Sequence, residues 1–168
     1  MIKPMMTAAL AIILIACASA QQQKLSAKER VDNIASMCAE NADAMKRRQN
    51  QESLYSRLGE REGIAAFSER LYAKHKANDK IGHLFDDVQK EPFVSNVTEF
   101  LVVNSGGDGE YQGGSMAEVH ADLDISHEDF LVAGDDVKKV MKQMGAGKDE
   151  IQEATCFLVS FVPVVITE

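Results

Sequence analysis

The stretch Tyr111-Gln-Gly-Gly-Ser-Met116-Ala-Glu-Val-His120-Ala-Asp-Leu-Asp-Ile125 decides how this chain is read. Met116, Val119, His120 and Leu123 recur at i, i+3, i+4 and i+7, which predicts a short helix with His120 in its apolar stripe. An imidazole in such a stripe must be hydrogen-bonded or must bind something. A buried ring nitrogen without a partner costs roughly 1–3 kcal/mol. Two readings of His120 therefore stand: a core histidine satisfied by the protein, or a ligand.

Outward from that segment the same spacing repeats. Ile64, Phe67, Leu71 and His75 follow it, as do Phe93, Val97, Phe100 and Leu101, and then Phe130, Ala133, Val137, Val140, Met141 and Met144. Ile151, Ala154, Leu158, Phe161 and Val165 carry one more face, which predicts a single last helix. No segment alternates with period two for long, so the fold class is all-α. Gly59 and Gly63, Pro92, the run Gly106-Gly107-Asp108-Gly109, Gly113-Gly114, and Gly145 with Gly147 punctuate the helices. Ser126, followed by Glu128 and Asp129, marks a helix start with acidic residues in its first turn. Pro92 suits a first turn too, where its missing N–H has no intrahelical partner to lose.

The 168 residues are 45% hydrophobic and 26% charged, the composition of one globular domain. Eighteen basic residues against 26 acidic ones leave a net charge of −8, which argues against nucleic acid as a partner, because neutralising phosphates needs concentrated Lys and Arg. The tight basic cluster Lys46-Arg47-Arg48 is short enough to be a solvated face. Residues 1–20 read as a secretory signal: Lys3, an apolar run from Met5 to Ala16, and small residues with Ala18 and Ala20 spaced for cleavage. Leu14-Ile15-Ala16-Cys17 offers a second reading, a lipoprotein signal cleaved before Cys17, which would attach the protein to a membrane through lipidated Cys17. Either way the chain is expected to be exported, periplasmic or envelope-associated.

Residues 21–52 form a polar extension with Val31, Ile34, Met37 and Cys38 at helical spacing, and the main domain is expected from residue 53 to 168. An oxidising compartment would permit Cys38 and Cys156 to pair; the other reading is two buried thiols that never meet. No Cys-x-x-Cys or Cys/His quartet supports structural zinc, and no phosphate-binding loop, nucleophile elbow or His-Glu-x-x-His pair occurs. The Asn104–Ser115 loop is rich in Gly and Asp, but its acidic spacing and Ser115 at position twelve do not suit calcium.

Taken in order, several segments resemble the truncated globins, in particular their group I branch: Ser53-Leu-Tyr-Ser-Arg-Leu-Gly59, Glu62-Gly-Ile-Ala-Ala66, Leu71-Tyr72-Ala73 with Asn78-Asp79, Leu84-Phe85, Glu99-Phe100 with Gly106-Gly107, Tyr111-x-Gly113 with Met116 and His120, and Ile125-Ser126 with Phe130. The likeness runs from residue 53 to 167, and no gap is needed between Phe85 and His120. It implies a shortened two-over-two helical globin that binds haem b. It places His120 on the proximal histidine that ligates the iron, and Tyr72 on the distal tyrosine that donates to a bound diatomic gas. Phe85 falls on the phenylalanine that packs against the porphyrin. Phe93, Val97, Phe100, Tyr111 and Met116 fall on pocket-lining positions, where plain core packing is the competing reading. By residue chemistry alone Tyr72 is also inward-facing, eight residues after Ile64, and its phenol needs a partner; a backbone carbonyl is the competing one.

The chain departs from the family at four places. Phe93 and Val97 are apolar where many members carry glutamine or leucine, and Asn96 stands where some carry a histidine or a basic residue. Partners for the haem propionates are not evident beyond Lys80 and Lys90. A glycine pair after the first helix is replaced by Gly59-Glu60-Arg61-Glu62-Gly63. The function the resemblance implies is reversible binding of dioxygen or another diatomic gas (NO, CO), with Tyr72 slowing dioxygen release about tenfold or more through one hydrogen bond. A nitric oxide dioxygenase is the enzymatic alternative, for which the sequence holds no flavin or nicotinamide module. A non-haem helical sensor or interaction module is the third.

Overall fold

The computed structural model describes residues 25–167, so the leader expected over residues 1–20, Cys17 included, lies outside the described residues. Among the described residues no strand occurs. The order is α1 (Ala27–Gln51), α2 (Leu54–Arg57), α3 (Glu60–Lys76), a 3₁₀ turn (Gly82–Phe85), α4 (Lys90–Ser105), α5 (Met116–His120), α6 (His127–Gln143), α7 (Lys148–Val159) and α8 (Val162–Val165). None of these helices is long and apolar enough to cross a membrane.

Local chemistry sets the boundaries. Ser26, Ser115 and Ser126 each close a capping box, with the serine hydroxyl accepting from the backbone N–H three residues on and that residue's carboxylate accepting in return. Gly145, at φ +86°, ends α6 in a left-handed turn, and the Ala146 N–H bonds back to the Met141 carbonyl at 3.0 Å. Gly63 is required by closeness: a Cβ there would lie 2.0 Å from the Leu58 carbonyl oxygen.

One expectation fails. The apolar face from Ile151 to Val165 is not one helix, because α7 stops at Val159 and α8 restarts at Val162. Pro163 cannot donate to the Val159 carbonyl, and its ring would press on that oxygen.

The core lies between α3 and α6. Leu71, Val137, Val140 and Met141 are buried there, with Leu58, Phe67, Ile151, Ala154 and Leu158 packed around them. The polar extension is a continuous 25-residue helix, α1, which packs on α6 and α7. Cys38 and Cys156 are disulfide-bonded, closing a separation of 118 residues. By the chain-entropy model a bridge over that span contributes about 4–5 kcal/mol. Next to it, the Arg57 guanidinium reaches Glu150 at 2.6 Å and also Glu153, while Arg48 Nε donates to Glu153 at 2.5 Å. Burial alone would push the Glu150 carboxyl up, but the bonds from Arg57 and the backbone together hold it below the ordinary carboxylate range.

Candidate functional site

Between α3, α4, α5 and α7 the structure leaves a cavity of about 990 Å³, at the upper end of the roughly 300–1,000 Å³ usual for ligand sites. Its wall includes Phe85, Phe93, Val97, Phe100, Tyr111, Met116 and His120. All seven are only half-buried.

His120 sits at the end of α5, a helix of five residues fixed at both ends. The Ser115–Glu118 capping box secures its start, and the Tyr111 hydroxyl donates to the Gly114 carbonyl at 3.0 Å just before it. Beyond it, the Thr167 N–H donates to the Ile125 carbonyl at 3.1 Å, tying the chain that follows α5 to the C-terminal segment. Within this frame His120 Nδ1 lies 2.8 Å from the Met116 carbonyl. A carbonyl only accepts, so Nδ1 carries the proton and Nε2 presents a lone pair. Nε2 has no hydrogen-bond partner among the described residues. Metal-ligating histidines are oriented in the same way, by a bond from the second ring nitrogen.

Two aromatic groups flank the cavity. Phe100 packs edge-on to Tyr111 (centroids 5.2 Å apart) and against Phe157 (5.6 Å) and Phe161 (5.7 Å). On the other side Phe85 meets Phe93 at 5.7 Å, and the Tyr72 ring lies against both, 6.3 and 5.5 Å away. Tyr72 itself is not part of the cavity wall; its hydroxyl donates to the Val88 carbonyl at 2.9 Å. The structure thus brings together the axial histidine and the pocket-lining residues singled out from the sequence but not Tyr72, whose ring backs the wall from behind. Lys80 and Lys90 are also off the wall: they pair with Glu128 (3.2 Å) and Glu69 (3.7 Å). Asn96 borders the cavity, and His83 is exposed.

The sequence leaves the orientation of a further histidine, His75, open, and the structure places it in the wall. It is buried, its ring lies 5.2 Å from Phe85, and its Nδ1 is 3.4 Å from Oδ2 of Asp136, a carboxylate with no exposed surface. Asn78 Nδ2 donates to the same oxygen at 2.6 Å, and Lys139 and Lys74 lie 3.7 and 4.0 Å from Oδ1. Burial pulls the His75 imidazole below its ordinary range, against the opposing pull of Asp136. The signal was present, because His75 continues the Ile64–Phe67–Leu71 stripe as His120 continues its own, and Asp136 interrupts the apolar stripe of α6.

Among the described residues no group of three or more His, Cys, Asp or Glu could hold a bare metal ion. A free imidazole nitrogen such as His120 Nε2, in a broad apolar cavity, suits a metal that brings its own equatorial ligands.

Residues 53–164 match the family model described as bacterial-like globin. The group 1 truncated haemoglobin of Synechocystis is 30% identical over 105 residues, 60% of this chain and 85% of that protein. That of Tetrahymena thermophila is 26% identical, covering 62% and 86%. A crystal structure of Tetrahymena pyriformis truncated haemoglobin (a tyrosine-to-phenylalanine variant, Fe(III) form) superposes with a TM-score of 0.67 at 20% identity, covering 70% of this chain and all of that one.

Proposed function

This chain belongs to the bacterial-like globin family and is a truncated globin, and from that premise we propose that it binds haem b through His120 and takes up a small diatomic gas reversibly. When bound, haem iron supplies the open coordination position at which such a gas is held. The observation that carries the reading is the orientation of His120. Its Nδ1 is committed to the Met116 carbonyl, so Nε2 stands bare beside an apolar cavity large enough for a macrocycle.

The other residues follow from their positions. Phe85, Phe93, Val97 and Phe100 exclude water from the face of the macrocycle, and Met116 and Tyr111 close the side nearest α5. Dry walls favour an uncharged gas over water and anions. Tyr72 is the distal phenol of this reading. It serves a bound gas only by turning its hydroxyl away from the Val88 carbonyl, so its contribution is the difference between two hydrogen bonds. The Cys38–Cys156 bond supports the further reading that the protein works outside the reducing cytoplasm, in the periplasm or envelope.

Reconstitution with haem tests the proposal. The parent is expected to show a strong Soret band, to bind carbon monoxide in the ferrous form, and to release it on exchange. A His120→Ala variant that keeps its helical content and still holds haem as firmly as the parent would refute the assignment of His120.

A further inference from the structure

The family-matched region spans residues 53–164, yet the cavity does not end with it. Met45, Lys46 and Gln49 of α1 belong to the wall, together with Cys156 and Phe157 of α7. Gln49 acts as a clasp: its Nε2 donates to the Ser105 carbonyl at 3.0 Å, and its Oε1 accepts from the Leu54 N–H at 2.8 Å. Both of those residues also line the cavity.

The wall segment of α1 is fastened on either side. Before Met45 comes the covalent bond from Cys38 to Cys156, itself a wall residue; after it come Arg48 with Glu153, and the clasp of Gln49, which is part of the wall. Ten residues of helix, roughly 15 Å, separate Cys38 from Arg48, and Met45 lies between them. Packing on α6 and α7 seats the helix as a whole, and these two attachments fix the stretch that carries Met45.

We propose that α1 is the rear wall of the haem cavity, that Met45 and Gln49 are positioning residues which keep that wall shut, and that the Cys38–Cys156 bond holds them in place. The inference rests on the haem-binding reading above. Its consequence is that gas passage through the rear of the cavity, and retention of haem, depend on the state of the disulfide. Opening needs a dithiol reductant: the S–S bond gains two electrons and two protons to give two thiols, and the dithiol closes to its own disulfide.

The test uses the full chain loaded with haem in three states: oxidised, treated with dithiothreitol, and the double variant C38S/C156S. Haem transfer to an excess of apomyoglobin is measured, with the fraction of carbon monoxide that escapes after photolysis. The reduced and double-variant forms are expected to lose haem at least tenfold faster and to let a larger fraction escape, with helical content preserved. In the oxidised protein M45A is expected to raise escape several-fold, and M45L to restore it, which a merely structural effect on stability would not do. Hydrogen exchange without haem gives a second readout: reduction should deprotect residues 45–49 and 153–159 as well as the start of α1.

Equal haem loss and equal escape in oxidised and reduced protein would overturn the proposal. So would exchange changes confined to residues 27–44, or wholesale loss of helix on reduction, which would make the bond a general staple. A parent that takes up no haem sinks the haem-binding reading and this inference with it; a parent that binds haem but ignores the disulfide sinks this inference alone.

Discussion

Two histidines border the same cavity, and their surroundings differ in every respect that matters. His75, on α3, is buried in the packed half of the molecule, with Nδ1 turned to a fully buried carboxylate and cations beyond it. His120, on α5, is half-exposed at the end of a five-residue helix, with Nδ1 turned to a backbone carbonyl. Burial holds the His75 ring below its ordinary range despite the carboxylate beside it and ties it into the packed half, whereas the carbonyl that accepts from His120 Nδ1 leaves Nε2 beside the cavity without a partner. The wall that packs well thus carries a histidine suited to holding structure. The thinly packed wall carries one suited to holding a ligand. Apolar spacing alone put both rings in apolar stripes; only the partner of Nδ1 separates them.

The largest test of that contrast is to remove each ring. His120→Ala should leave the fold nearly intact, since the residue is half-exposed, but haem loss should accelerate by more than the 10–100-fold typical of removing a mere supporting partner of a metal ligand. His75→Leu should leave the Soret band and change stability instead. Chemical denaturation and haem transfer, measured side by side, should show opposite orders for the two variants. Matching orders would erase the distinction.

Acid should then act through His75. Its folded-state pKa lies below the unfolded value of about 6.5, so between the two the unfolded chain binds the extra proton. Stability is therefore full above pH about 6.5 and falls as the pH drops from there towards the folded value. The Glu150 carboxyl, also lowered, adds a second loss only further down, as the pH falls below the ordinary glutamate range. Denaturation midpoints from pH 8 to pH 5 should decline for the parent and flatten for His75→Leu. A parent curve without slope over that interval would show that the ring is not kept neutral by burial.

Legibility divided along the same line. The helices of the packed half could be read because burial writes a period: Leu71, Val137, Val140 and Met141 sit where the stripes place them. The break before α8 was missed because the apolar face runs on through Pro163, and pattern alone does not register a missing N–H. His120 and the wall residues came from order and spacing. The Tyr72 hydroxyl stayed open between a bound gas and a backbone carbonyl for a physical reason: a phenol has an inward ring and a tip that can go elsewhere, and the carbonyl that takes it belongs to Val88, sixteen residues away. The disulfide was undetermined for a similar reason, since pairing depends on how α1 docks on α7 and not on either helix by itself.

The distal side offers a smaller test. With its hydroxyl donating to the Val88 carbonyl, Tyr72 must exchange one bond for another to help a bound gas. A partly negative oxygen is the better acceptor by about 1 kcal/mol, so Tyr72→Phe should speed dioxygen release by roughly fivefold, rather than the tenfold or more that an uncommitted hydroxyl would give. Stopped-flow displacement by carbon monoxide reads this directly. A fifty-fold change would mean that the hydroxyl abandons Val88 altogether when haem is in place; no change would confine it to its carbonyl.

The smallest expected effect lies at the start of α3. Glu60 follows Gly59 there, and its backbone sits at φ +57°. A side chain in the left-handed region costs roughly 1–2 kcal/mol, and glycine escapes that cost. Glu60 returns part of it, because a carboxylate in the first turn of a helix interacts favourably with the N-terminal dipole, by about 0.3–1 kcal/mol. The two do not cancel, so Glu60→Gly should stabilise the protein by about 0.5–1 kcal/mol, visible as a higher denaturation midpoint. Haem loss and dioxygen release should stay put, because Glu60 is exposed and belongs to neither wall. A destabilised variant would mean that the first-turn charge outweighs the strain, and a change in haem retention would mean that the start of α3 reaches the cavity through Gly63 and Leu58.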